Sequence, residues 1–453
     1  MKIIKTIQTR KTNKVFHQEI ENLEFNKDKD LLDNIVRVDT SKKFQTIQGF
    51  GGAFTEASAI ALNYLDKDMQ EKIIDAYFGK DGLNYNLGRV HINSCDFAKG
   101  NYTYIKDGDD KLTTFDLSHD KKEIFPFVIK ASTKAQDKLL LLASPWSPPA
   151  FMKTNKNMNY GGKLLKEYYK TWADYFVKYI KEAKKLGIDI SMVTVQNEPQ
   201  ATQTWDSCIY EPEDEKEFVK NYLGPAFIKN NLPVDIYIWD HNRGDVLVDR
   251  AIRILDDKKA SKYIKGLAFH WYCSEDFESL SKFHNMYPNK SLLFTEGCVE
   301  YGVYGDESKY RFENGEKYAH HMINDFNNYS EGFIDWNLLL DEQGGVNHVG
   351  NYCEAPIMIN RKTKEVIYNS SYYYIGHFSK YVKRGARRVL TTTLSKSKTI
   401  EAVSFINPNG ETIIIILNTG WIDKVSLVVD GNIVNITLPN QSITTYIINW
   451  KEQ

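Results

Sequence analysis

Two glutamates at the ends of apolar runs are the residues of this chain best suited to chemistry. Glu198 closes the stretch "SMVTVQNEPQ" (191–200), and Glu296 closes "SLLFTEG". Pro199 cannot donate a ladder hydrogen bond, so the first run must stop at or just before it, presenting Asn197 and Glu198 at a strand terminus. One strand-end carboxylate is as readily structural as functional; a second one of the same kind changes the reading. A protonated carboxyl can give its proton to a glycosidic oxygen while its partner attacks the anomeric carbon. The two then stand about 5–5.5 Å apart for retention, or about 6.5–9.5 Å apart for inversion through water. Like charges this close do not ionise together readily, so one pKa is expected to rise and supply the acid. Asn197 is placed to hydrogen-bond a sugar 2-hydroxyl.

The elements that must hold such a pair are legible as a repeat. Between about residues 165 and 375, helix-like and strand-like segments alternate. The helical "LKEYYKTWADYFVKYIKEAKKLG" precedes "SMVTVQ", and the strands "VDIYIWDHN", "IKGLAFHWY" and "SLLFTEG" follow, with helical stretches between them. Upstream "YNLGRVHINSCD" and "LLLLASPWSPP", and downstream "EGFIDWNLLLDEQGG", add further units. Such repetition predicts parallel strands with helical crossovers, enough of them to close a (β/α)8 barrel. Glu198 and Glu296 lie 98 residues apart in the chain. At roughly 30–35 residues per unit that is about three units, which puts the glutamates on the fourth and seventh strands, at the one barrel face that carries active sites.

The C-terminus changes character. Past about Arg388, short strand-like runs succeed one another without helices, separated by turn signals such as "NPNG" and "DGN". This predicts an antiparallel β-sandwich, to which the strand-like N-terminal "KIIKTIQTRK" and "NIVRVDTSKKFQTIQG" could contribute. The expected division is N-terminal strands at 1–45, the barrel at 46–380 and the sandwich at 381–453.

Composition removes several other classes. Lys+Arg 58 against Asp+Glu 59 is nearly neutral, which disfavours a nucleic-acid binder. Five dispersed cysteines (95, 208, 273, 298 and 353) form no C-x-x-C and read as buried hydrophobes in a reducing compartment. The N-terminus carries charge but no apolar core of a signal peptide, and the longest apolar runs are strand-sized. The expectation is a soluble cytoplasmic protein with no membrane span, no nucleic-acid partner, no metal and no cofactor. Aromatics reach 13 %, with 28 Tyr and 8 Trp, which suits sugar-ring stacking as well as core packing.

From "FQTIQGFGGAFTEASA" to the C-terminal strands, the sequence resembles the glucosylceramidase branch of glycoside hydrolase family 30. The motifs, in order, are "SCDF", "LLASPWSPPAFMKTN", "TVQNEP", "HWY", "LFTEGC", "DWNLLLDEQGGVNHVGNY" and "GHFSKYV". The resemblance implies a retaining enzyme with a barrel and a sandwich built from both termini, with Glu198 as acid/base and Glu296 as nucleophile. It further implies that Asp96, Trp146, Asn197, Trp336 and Asn351 hold the sugar at the cleavage site. Tyr272 of "HWY" could hydrogen-bond the nucleophile. The short segment after Asn-Glu-Pro, with Trp205, and His91 in "RVHINSCD" depart from the branch's pattern and are expected around the mouth, where they bear on the aglycone.

Other signals point elsewhere and are set aside. Gly-rich "QGFGGAFTEAS" lacks P-loop or dinucleotide spacing and reads as a turn entering the barrel. "KRGARR" (383–388) reads as a solvated turn. "DHN" (240–242) has no metal ligands at standard spacing and reads as a structural or remote contact. The expected activity is retaining exo-β-glycoside hydrolysis of terminal β-D-glucosyl groups. The alternatives are an endo-β-1,6-glucanase, a β-xylosidase or β-fucosidase, and a non-catalytic glycan-binding protein.

Overall fold

The computed structural model describes residues 3–20, 22–25, 30–300, 311–396 and 398–449. Eight parallel strands close a barrel: β1 (Gly49–Ala53), β2 (Leu87–Ile92), β3 (Leu140–Pro145), β4 (Ile190–Thr194), β5 (Asp235–Asn242), β6 (Ile264–His270), β7 (Ser291–Glu296) and β8 (Gly332–Asn337), with β8 pairing back onto β1. Glu198 follows the fourth strand and Glu296 ends the seventh, as the repeat spacing predicts. Amphipathic helices cover the outside. In Tyr169–Lys185 the buried Tyr169, Trp172, Phe176, Tyr179 and Ile180 recur at helical spacing.

The barrel interior is layered, because inward residues recur every second position along each strand. Leu87, Leu142, Met192, Ala268, Leu293 and Ile334 form an apolar plug. Two residues further along, the same strands present Arg89, Ser144, Thr194, His270, Thr295 and Trp336, all buried. Polarity therefore switches on within one pleat of the plug, at the strands' C-terminal ends.

"QGFGG" is not a turn: Gly49–Ala53 is barrel strand β1. A Cβ on Gly51 would stand 2.0 Å from the Leu87 carbonyl oxygen, so glycine is required by the close approach of β2. "KRGARR" is a turn at 384–385 with Lys383, Gly385 and Arg387 exposed, as read, but two of its arginines are engaged. Arg384 donates to the carbonyls of Gln48 (2.9 Å), Asn86 (2.7 Å) and Lys138 (2.8 Å) at the barrel's N-terminal end. Arg388 stacks on Phe44, 3.6 Å from guanidinium carbon to ring centroid.

Both termini build a second β region. Ile3–Arg10, Val15–Ile20 and Ile35–Thr46 join Arg387–Leu394, Ile400–Ile406, Thr412–Asn418, Asp423–Val429, Asn432–Leu438 and Ser442–Ile448 in a nine-stranded sheet. It is antiparallel except where Ile35–Thr46 runs parallel to Asp423–Val429. Val36, Val38, Ile414, Ile416, Leu427 and Val434 pack together in its own core. The alternate residues Ile413, Ile415 and Leu417 belong instead to the core shared with the barrel layer. The run "IIIIL" is thus apolar throughout because both faces of its strand are covered. No helix among the described residues is long and apolar enough to cross a membrane.

Candidate active site

All eight predicted site residues come together. Asp96, Trp146, Asn197, Glu198, Tyr272, Glu296, Trp336 and Asn351 line one cavity of about 290 Å³ at the C-terminal ends of the strands. That volume lies near the small end of ligand pockets, about 300–1,000 Å³.

Glu296 is held from two sides. The Arg89 guanidinium donates to Oε2 at 2.5 Å, and the Tyr272 hydroxyl donates to Oε1 at 3.0 Å. Burial keeps the Tyr272 phenol protonated, so it acts as a donor. Burial also pushes the Glu296 carboxyl above its ordinary range; the charges of His270 and Arg89 oppose this, and the charge of Glu198 reinforces it.

Glu198 sits in a different setting. Beyond Thr194 the chain stays laced to its neighbours: Asn197 N–H donates to the Pro145 carbonyl (2.8 Å), and Glu198 N–H donates to the Asp240 carbonyl (2.9 Å). Glu198 has φ +47°, and Trp239 and Asp240 on the adjoining β5 have φ +75° and +52°. Non-glycine residues in the left-handed region carry strain, here concentrated at two adjoining strand ends. His270 Nδ1 lies 3.2 Å from Glu198 Oε1, and its Nε2 lies 3.0 Å from Asp240. Burial alone would raise Glu198, but the hydrogen bond from His270 and the charges of His241 and His270 outweigh it and hold the carboxyl below its ordinary range. Burial would lower His270, yet the surrounding carboxylates raise it to about 9. The raised carboxyl of the pair is therefore Glu296 rather than Glu198, the reverse of what the acid role by itself predicts. The proton available to Glu198 resides in its bond with His270.

Beneath both glutamates lies a charge network that sequence reasoning missed. Arg89, fully buried, also donates to Asn197 Oδ1 and Asp240 Oδ2, each at 2.8 Å. Asp240 further accepts from Thr194 (2.7 Å) and Thr295 (2.6 Å). Burial raises this carboxyl and Arg89 with its other donors more than reverses that, so it stays well below the usual range. With Asn197 Oδ1 committed to Arg89, its amide N–H groups are left for a ligand. The available signal for Arg89 was a cation in inward phase inside the apolar run "LGRVHI". "DHN" makes structural hydrogen bonds through Asp240, as read, but it lies at the centre of the site rather than remote from it, with His241 and Asn242 lining the cavity.

The remaining residues shape the cavity. Trp146 and Trp336 stack at 5.3 Å, with the Arg89 guanidinium 4.7 and 5.6 Å from their rings. Asn351 donates to Asp96 Oδ2 at 3.2 Å, and burial with the nearby charges of Glu296 and Asp206 raises the Asp96 carboxyl. Trp205 reaches the cavity as expected. His91 does not lie at the mouth: it is buried, bonded to the Asn93 carbonyl and the Glu56 N–H, with its ring edge-on to Trp146.

This strand-end architecture has known counterparts. The Glycosyl hydrolase family 30 TIM-barrel domain matches residues 47–382, and the Glycosyl hydrolase family 30 beta sandwich domain matches residues 385–446. The chain belongs to glycosyl hydrolase family 30. It is 35 % identical to putative glucosylceramidase 3 of Caenorhabditis elegans, over 92 % of this chain and 82 % of that one. Among solved structures, SrfJ from Salmonella typhimurium superposes with a TM-score of 0.94 at 36 % identity, covering 99 % of both chains. The endo-beta1,6-glucanase BT3312 superposes with a TM-score of 0.86 at 29 % identity, covering 98 % of both.

Proposed function

We propose that this glycosidase is a retaining exo-β-glycosidase that removes terminal β-D-glucosyl groups by double displacement. The observation that carries the proposal is the contrasting hold on the two glutamates. Glu296 receives donors from Arg89 and Tyr272, which suit a nucleophile whose charge is consumed on attack. Glu198 is coupled to a proton on His270. In the first step Glu296 attacks C1 while Glu198 passes the proton to the leaving oxygen; in the second, Glu198 takes a proton from water, which displaces Glu296. Asn197 would donate to the 2-hydroxyl, and Asp96 would accept from outer hydroxyls. The likeness to a putative glucosylceramidase supports the glucosyl preference, and the small cavity supports release of one sugar at a time. Cytoplasmic residence is part of the same proposal, supported by five free cysteines.

A second reading, endo-β-1,6-glucanase, is favoured by the likeness to BT3312. Aryl β-glucoside, β-xyloside, β-fucoside and β-galactoside, with an α-glucoside control, separate the two. Preferential release from the β-glucoside supports exo-glucosidase action. Silence on all of them, with cleavage of β-1,6-glucan, moves the assignment to the endo enzyme.

A further inference from the structure

The rim of the cavity holds more ligating capacity than acid/base chemistry needs. Glu198 Oε1 lies 3.2 Å from His270 Nδ1 and 3.7 Å from His241 Nδ1. One ligand atom from each of the three lies within 4.8 Å of the others. A zinc-type ion bonded to nitrogen and oxygen at about 2.0–2.2 Å with tetrahedral angles needs ligand atoms roughly 3.3–3.6 Å apart, so small side-chain rotations suffice.

Two further features favour a cation here, and one hydrogen bond must give way to it. His270 rests its other ring nitrogen on Asp240 at 3.0 Å, the carboxylate support that orients metal-bound imidazoles. The Asn242 amide donates to His241 Nδ1 at 3.2 Å, a bond that a cation at that nitrogen displaces. Glu198 and His241 both line the cavity, leaving a fourth position open to water.

We infer that Glu198, His241 and His270 form a binding site for a borderline divalent cation of the zinc type. Two imidazoles and one carboxylate favour zinc over magnesium or calcium, which prefer oxygen ligands alone. Binding releases the proton between His270 and Glu198 to solvent and ties up the Glu198 carboxylate. Loss of turnover on zinc binding rests on the proposed role of Glu198; the binding itself does not.

The test uses the full chain freed of metal by a chelator, titrated with Zn²⁺ in competition with a chromophoric chelator and, separately, with Co²⁺. One Zn²⁺ per chain is expected. Co²⁺ should show visible d–d absorption without a thiolate charge-transfer band, because the nearby Cys273, which accepts from Asn242 at 3.2 Å, is the competing ligand. His241→Ala, or His241→Gln if the first variant does not fold, should weaken Zn²⁺ at least about tenfold, while Cys273→Ser changes it by less than about twofold. A thiolate band, loss of binding in Cys273→Ser but not in the His241 variants, or no Zn²⁺ bound at millimolar concentration overturns the site. Zn²⁺ should also stop aryl β-glucoside hydrolysis, with recovery on chelation. Binding with the expected spectrum but undiminished turnover upholds the site and removes Glu198 from the acid/base role.

Discussion

The two ends of the barrel bury polar groups for opposite purposes. At the N-terminal end, Gln48 donates to Glu331 (2.7 Å), Ser291 (3.1 Å) and Tyr237 (3.3 Å), and Ser291 donates to Glu331 at 2.5 Å. Arg384 then covers three strand-end carbonyls. These groups bond to one another and to backbone, and none of them lines the active-site cavity. At the C-terminal end, Arg89 and Asp240 are as well satisfied, but the groups they support are not. Glu296, Glu198, Asn197 and Asp96 all present polar atoms to a cavity. Buried polar groups are expensive unless hydrogen-bonded, so the lower network satisfies its own members and closes the fold, while the upper one satisfies only its base and keeps the rim for a ligand.

That contrast predicts how each end breaks. The largest effect should come from Glu296→Gln, which keeps the shape of the site and removes the nucleophile. Hydrolysis of the preferred aryl glycoside should fall at least about 10⁴-fold, with the melting temperature little changed. A variant retaining full activity would sink the double-displacement mechanism.

Tyr272→Phe tests the hold on the nucleophile with a milder change. Losing a hydrogen bond to a charged group is worth about 1.5–3 kcal/mol, so kcat/KM should drop roughly 10- to 150-fold. The acid limb of the pH–rate profile should also move upward, because the ionised Glu296 loses a donor. An unmoved limb would show that Tyr272 only packs.

Arg384→Ala, at the opposite end, should reverse the pattern. Stability should fall by about 1–2 kcal/mol as strand-end carbonyls lose their donor, read from urea unfolding, with kcat unchanged. A drop in kcat would mean that the two ends are coupled through the apolar plug.

The remaining effect, on the pH dependence of stability, concerns His270. Its folded pKa of about 9 lies above its ordinary 6.5, so the folded state binds its proton more tightly. The associated stabilisation is complete below pH 6.5 and is lost as pH rises through 9. Melting temperature should therefore decline between these values in the wild type, and less steeply in His270→Gln. Equal slopes would refute a charged His270.

Much of this was legible beforehand. Alternation of helical and strand patterns, with a strand end at Pro199, placed Glu198 and Glu296 on the fourth and seventh strands. The motifs named eight of the residues that line the cavity. Arg89, Asp240 and His270 escaped because a single buried charge within an apolar run looks anomalous until its partners are known. "KRGARR" is a partly solvated turn as read, but the bonds of Arg384 were not legible, because the strand-end carbonyls it reaches belong to segments far away in the chain. "QGFGG" misled because glycine signals a turn unless a neighbouring strand demands its missing Cβ.

The sequence by itself determined the layers: period-two alternation decides which side chains point into the barrel, and the apolar-to-polar step two residues on decides where the plug ends. It also determined the residue types available for chemistry. Only the tertiary structure decided which glutamate sits beside a proton and which beside Arg89, because a carboxyl's pKa depends on charges that closure brings within a few ångströms from strands far apart in the chain.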